Sequence, residues 1–336
     1  MTSPEVGSLF GACVARALDR CWRAAGEPDP FVVVEAGAGN GRLARDVQRA
    51  RPACERALRY VLVETSAALR EEQRERLELE PADEALGPFA RPAPDDAPAA
   101  VAGSGPVFVA LDELPALELT AVVLANELLD NLPFGIAART AAGWDEIRIT
   151  VDDDRFFEVR VPAEPVDVRA LDDINAELAV AEGTRLPIPR GLDAWVSACG
   201  RMLRRGTLIA IDYVDDAAGI ARRGEAGWLR TYRAHARGGS PLDAPGSQDI
   251  TADVVREQLL QAARAAGLTL ASEVSQAEWL AELGIDELAA AARGAWEARA
   301  HVGDLEALAA RSRVVEAAAL TDVGGLGGHR VVTFTR

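Results

Sequence analysis

The sequence predicts an α/β protein built on a doubly wound, mostly parallel sheet that carries helical and hairpin insertions. Three observations predict it. Apolar strand-like runs alternate with helix-like segments along much of the chain. The stretch VVVEAGAGNGRLARDV, 32–47, breaks from a run of valines into three alternating glycines. That strand and the one after it each end on an acid, Glu35 and Glu64.

Taken in order, residues 6–25 place Leu9, Phe10, Cys13, Ala17 and Leu18 on one side of a helix. Phe31–Val34 is a buried strand and Arg42–Arg51 the helix that follows it. ALRYVLVETS is a second strand and AALREEQRERL the charged helix behind it. Pro81–Pro106, rich in Pro, Ala, Asp and Gly, is expected to be a surface loop. PVFVAL and AVVLA resume the sheet, and WDEIRITVDDDRFFEVRVP is two alternating runs around an acidic turn, an antiparallel hairpin. GLDAWVSACGRMLRRG is expected to be a helix closed by Gly206, with TLIAIDYV the next strand. A loop-rich stretch 215–250 precedes a helix at about 252–266, a strand near LTLASEV, an alanine-rich helical region from Gln276 to about Ala319, and a last strand in HRVVTFTR. The expected organisation is one domain, 1–336, with an N-terminal helical segment at 1–30 and insertions at 134–190, 215–250 and 276–325.

Composition narrows the chemistry. The chain has 336 residues, 49% hydrophobic and 26% charged, an ordinary globular balance. Its four cysteines and three histidines form no ligand-like cluster, so no metal site is expected and the cysteines are small core residues. All 36 basic residues are arginine. Without a lysine, neither a Walker A phosphate loop nor Schiff-base chemistry is available. A net charge of -17 argues against nucleic acid as a partner and is compatible with a cationic one. No apolar run reaches the roughly eighteen residues of a membrane span, and no basic-then-apolar signal opens the chain, so a cytoplasmic protein is expected.

The glycine loop runs Glu35-Ala36-Gly37-Ala38-Gly39-Asn40-Gly41-Arg42. A dinucleotide fingerprint wants its third glycine where Arg42 stands, so a nicotinamide-dependent oxidoreductase is disfavoured. The spacing suits a ligand without phosphate that carries an ammonium and a sulfonium, S-adenosyl-L-methionine (SAM). Glu35 would serve the ammonium end and Glu64 the ribose hydroxyls. A second constellation, AVVLANELLDNLPFG at 121–135, sets Asn126, Glu127 and Asp130 just past a buried strand, where open α/β sheets bind ligands. By themselves these three fit a capped helix start equally well.

The motifs TSPEVGSLFG at 2–11, VEAGAGNGRLARDV at 34–47, LVETSAALREEQ at 62–73 and ANELLDNLP at 125–133 make the chain similar to the MidA family of SAM-dependent methyltransferases. GTLIAIDYV, LRTYRAHA, PGSQDIT and EWLAELGI extend the likeness over most of the chain. The family includes relatives of a mitochondrial protein needed for assembling respiratory complex I. The resemblance implies a Rossmann-like class I methyltransferase sheet and methylation of an arginine on a partner protein. It also implies SAM contacts from Glu35, Gly37, Gly39, Asn40, Gly41, Glu64, Thr65 and Ser66, and a substrate side made of Asn126, Glu127 and Asp130. Ser3, Pro4 and Glu5 would cover the cofactor, and Tyr232, His235, Asp249 and Thr251 would form an outer wall of the substrate site. Ala38 and Asn40 replace the family's usual proline and arginine, and Asp253 stands where a histidine is common. The family's additional segment before TSPE is replaced by Met1, so a SAM-binding assembly factor or scaffold without catalysis stays open beside the enzyme, as does homo-oligomerisation.

Overall fold

The computed structural model describes residues 2–82, 86–87, 102–153, 155–233 and 236–336. Most of the loop expected at Pro81–Pro106, and His235, lie outside the described residues. In chain order the strands are β1 Phe31–Ala36, β2 Leu58–Val63, β3 Val107–Leu111, β4 Leu119–Asn126, β5 Gly135–Thr140, β6 Gly143–Asp152, β7 Arg155–Pro162 and β8 Arg185–Ile188. They continue with β9 Leu203–Asp212, β10 Val214–Asp215, β11 Leu229–Arg233, β12 Ala236–Arg237, β13 Asp249–Ala252, β14 Val254–Val255, β15 Thr269–Ser275 and β16 Arg330–Thr335.

Chain contacts divide these residues into two compact units, 1–127 with 198–211 and 268–336, and 128–197 with 212–267. The insertions expected at 134–190 and 215–250 fall in the second unit, and that expected at 276–325 in the first.

The first unit is a seven-stranded sheet in the order β15-β16-β9-β4-β1-β2-β3. β1 pairs in parallel with β2 and β4, β2 with β3, and β4 with β9. β16 runs antiparallel to β15 and exchanges reciprocal Gly206–Arg336 backbone hydrogen bonds with β9, the antiparallel signature. The order reverses between β1 and β4, which makes the ends of these two strands the topological switch point. β1 and β2 are buried along their full length because helices cover both faces of such a sheet. Helix Ser8–Ala24 buries Leu9, Phe10, Cys13, Val14, Ala17 and Leu18, a spacing of about one turn that forms a single apolar face.

One expectation changes here, and one gains detail. The helix expected to run to Gly206 ends at Met202, and Gly206 lies inside β9, paired with Ala121. The alanine-rich region is three helices, Gln276–Glu282, Ile285–Arg299 and Leu305–Thr321.

The second unit holds the antiparallel sheet β7-β6-β5-β8, which contains the expected hairpin, and the small sheet β12-β11-β13. Its core gathers Trp144, Leu171, Leu186, Ile220 and Trp228. The stretch expected to be loop-rich carries helix Ala217–Arg223, started by the Gly219 N–H on the Asp216 carboxylate at 2.6 Å. No helix among the described residues is long and apolar enough to cross a membrane.

Candidate functional site

The glycine loop leaves β1 at the switch point. Gly37, Gly39 and Gly41 have φ of 70°, 52° and 77°, a left-handed backbone that costs glycine nothing. A Cβ on Gly39 would enter open space, whereas one on Gly41 would press on Gln73 and Leu62 at 3.2 and 3.3 Å. The loop is tied to β2 by the N–H groups of Gly37 and Ala38, which both donate to the Val63 carbonyl, at 2.9 and 3.0 Å. Helix Arg42–Ala50 starts immediately after it, with Arg42 exposed.

Glu64 belongs to the same structure. One of its carboxylate oxygens accepts the Gly39 N–H at 2.9 Å and the other accepts the Ser66 N–H at 2.8 Å. Gln73 donates to the Gly39 carbonyl at 2.6 Å, and Asn40 donates to Glu72 at 3.3 Å. The Ser66 hydroxyl caps helix Ala67–Arg76, and Thr65 beside it is exposed.

Glu35 is 4% exposed and its carboxylate accepts the Tyr60 hydroxyl at 2.9 Å. Burial pushes its pKa up to about 8. The Tyr60 hydrogen bond opposes the rise, and the nearby Glu64 charge adds to it.

Asn126 ends β4. The register Ala36–Ala125 brings Asn126 out of the sheet level with Gly37. Its amide donates to Glu127 at 3.3 Å, while its Oδ1 is buried with no hydrogen-bond partner among the described residues. Glu127 holds φ of 52°, an uncommon conformation for a residue with a side chain and one that accumulates at functional sites. Its backbone N–H donates to the Ile211 carbonyl at 2.8 Å, and its Oε1 accepts the Ser3 N–H at 2.9 Å. Ser3 lies in the N-terminal turn Ser3–Val6, which Pro4 and Glu5 share. Glu5 accepts the Thr2 N–H at 2.8 Å.

Asp130 departs from its expected position. It was expected to face substrate, but it is 4% exposed and belongs to a buried polar cluster of the second unit. Asn131 donates to its carboxylate at 2.7 Å. The Leu129 N–H donates to Asp212 at 2.7 Å, and Arg230 pairs with Asp253 while stacking on Tyr213. Burial pushes the Asp130 carboxyl up to about 6, with Arg230 opposing and Asp253 adding. An acid so enclosed anchors its own loop. Tyr232 and Asp249 face one another across β11 and β13, and Thr251 is buried on the same small sheet, all within the second unit.

Tyr60, Gln73, Asp212 and Gln276 are site or supporting residues that the sequence did not single out. Tyr60 alone left a signal, a phenol in a mostly aliphatic strand.

The family model described as "S-adenosyl-L-methionine-dependent methyltransferase" matches residues 13–274. The protein arginine methyltransferase NDUFAF7, mitochondrial, of Mus musculus is 28% identical over 304 residues, 85% of this chain and 64% of that protein. The homologue of Drosophila melanogaster is 27% identical over 269 residues, 76% of this chain and 57% of its own. The chain thus spans less than two thirds of the length of these curated relatives. A solved structure of a COG1565 superfamily member from Burkholderia thailandensis, bound to S-adenosyl-homocysteine, is 28% identical, with a TM-score of 0.78 over 100% of this chain and 78% of that one. The mitochondrial relatives overturn the cytoplasmic expectation, which had rested on the lack of a signal pattern. The fold, the loop geometry and the family match over 13–274 agree, and the chain belongs to this family of SAM-dependent methyltransferases.

Proposed function

We propose that the chain transfers a methyl group from SAM to a guanidinium nitrogen of an arginine in a partner protein. The observation that carries the proposal is the buried acceptor Asn126 Oδ1, which has no partner among the described residues, beside the strained Glu127 and level with the glycine loop. A guanidinium offers five N–H donors in a planar fork and no acceptor, so an amide oxygen next to a carboxylate matches it.

The residues present fit the cofactor. The open space over Gly39 admits a ligand against the backbone, and the loop carries acids at both flanks with no phosphate-binding lysine. Glu35, Gly37, Gly39, Asn40, Gly41, Glu64, Thr65 and Ser66 would hold SAM, which supplies an electrophilic methyl on a sulfonium. Glu127 and Asn126 would hold the guanidinium and concentrate its lone pair on one nitrogen. As that nitrogen takes the methyl, the carbon–sulfur bond breaks and the guanidinium gives up one proton. Positioning of this kind supplies roughly 7–11 kcal/mol of a barrier. Asp130 would serve by fixing its own loop.

Calorimetric titration with S-adenosyl-homocysteine and NAD tests the cofactor, and mass spectrometry of a glycine–arginine-rich peptide incubated with SAM tests the acceptor. Homocysteine-ligand binding that is lost in Glu64→Ala, with methylarginine formed by the wild type and reduced about 10²-fold in Glu127→Ala, is the expected result. Binding without methyl transfer to any arginine would favour the scaffold. NAD binding alone would overturn the proposal.

A further inference from the structure

The N-terminal turn has a hydrogen-bond connection that its length does not explain. Ser3 is 0% exposed although it is the third residue of the chain. Its N–H donates to Glu127 Oε1 at 2.9 Å and its hydroxyl donates to Gln276 Oε1 at 3.0 Å. Gln276 is also 0% exposed, and its amide donates to the Leu320 carbonyl at 3.1 Å. Its backbone N–H donates to the His329 carbonyl at 2.7 Å. The capping box Ser275–Glu278 starts the helix Gln276–Glu282 at that point, so the glutamine stands on a rigid element.

Glu127 needs such support. A side-chain-bearing residue at φ of 52° is strained and persists only where its surroundings over-determine it. The Ile211 carbonyl holds its backbone, and the Ser3 N–H and the Asn126 amide hold its carboxylate. A hydrogen bond to a carboxylate is among the stronger ones. Gln276 accepts the Ser3 hydroxyl and so ties the Ser3 side chain to the helix Gln276–Glu282.

We propose that Ser3 and Gln276 are positioning residues for Glu127, a two-bond relay that keeps the acid aimed while the N-terminal turn is docked. The relay rests on Glu127 acting in the proposed reaction, but its geometry can be tested without that reaction. Amide hydrogen exchange of Ser3 in the free, unliganded chain is the primary readout. Protection is expected in the wild type and in Glu127→Gln, which keeps an acceptor oxygen. It should fall at least tenfold in Glu127→Ala, in Ser3→Ala and in Gln276→Leu, and return in Ser3→Thr, which restores the hydroxyl. Adding Ser3→Ala to Glu127→Ala should lower it no further. If Gln276→Leu fails to fold, Ser3→Ala and Ser3→Thr carry the test. Ser3 protection unchanged in Glu127→Ala, or unaffected by loss of its own hydroxyl, would overturn the relay. Methyl transfer to the arginine peptide should fall in Ser3→Ala through kcat more than through KM for the peptide. If the wild type transfers no methyl, the proposed function fails while the exchange data still decide the relay.

Discussion

Glu35 is the one polar residue of β1, next to its last, and burial opposes its ionisation more than the Tyr60 hydroxyl favours it. The raised folded pKa, about 8 against the ordinary 4.5, means that the folded state binds the extra proton throughout that window. Stability from this group is therefore complete below the ordinary value and is lost as pH rises towards about 8. Glu35→Gln keeps an acceptor for Tyr60 and removes the titration. Urea unfolding should find the wild type losing stability between pH 5 and pH 8.5 by an excess over the variant on the order of a few kcal/mol. Equal losses in both chains would mean that Glu35 stays ionised. The sequence marks Glu35 and Glu64 as ligand acids because each follows an apolar strand. It does not predict that Glu64 grips Gly39 and Ser66, since backbone donors leave no trace in residue type.

Gly206 belongs to the scale of the element. A glycine after a run of good helix formers fits a helix end, and a glycine at positive φ within a strand fits a close backbone approach. Residue type is the same in both cases. Pairing of β9 with β4 overrides the helical preference of LRR and starts the strand at Leu203. At Gly206, φ is 145°, and a Cβ there would collide with the Ala121 carbonyl oxygen. Gly206→Ala is expected to destabilise by about 2 kcal/mol or more, whereas a glycine in a solvent-exposed helix cap would tolerate alanine at about 1 kcal/mol. Thermal unfolding of the variant separates the two. The strands β1, β2 and β4 and the glycine loop were legible because period and punctuation are local. The Ser3–Gln276 bond was not, because its partners are 273 residues apart.

Charge acts at the scale of the whole molecule. With -17 net and no lysine, the chain carries a diffuse negative field, and the proposed acceptor is a cation. Steering by that field and recognition by Asn126 and Glu127 separate by salt and by side-chain shape. The field is screened within about 10 Å at 0.1 M salt, while contacts inside a site are screened far less. Affinity for a glycine–arginine-rich peptide should therefore weaken by roughly tenfold between 50 and 500 mM salt, while S-adenosyl-homocysteine, held by the glycine loop, changes by less than about twofold. A lysine-for-arginine peptide should share the salt dependence, since it has the same charge. It should take no methyl, since an ammonium cannot present a planar fork to an amide oxygen and a carboxylate. Fluorescence anisotropy with both peptides, read against methyl incorporation, measures the two effects. If the lysine peptide were methylated as fast as the arginine peptide, charge would select the partner and the Asn126–Glu127 pair would not read the guanidinium.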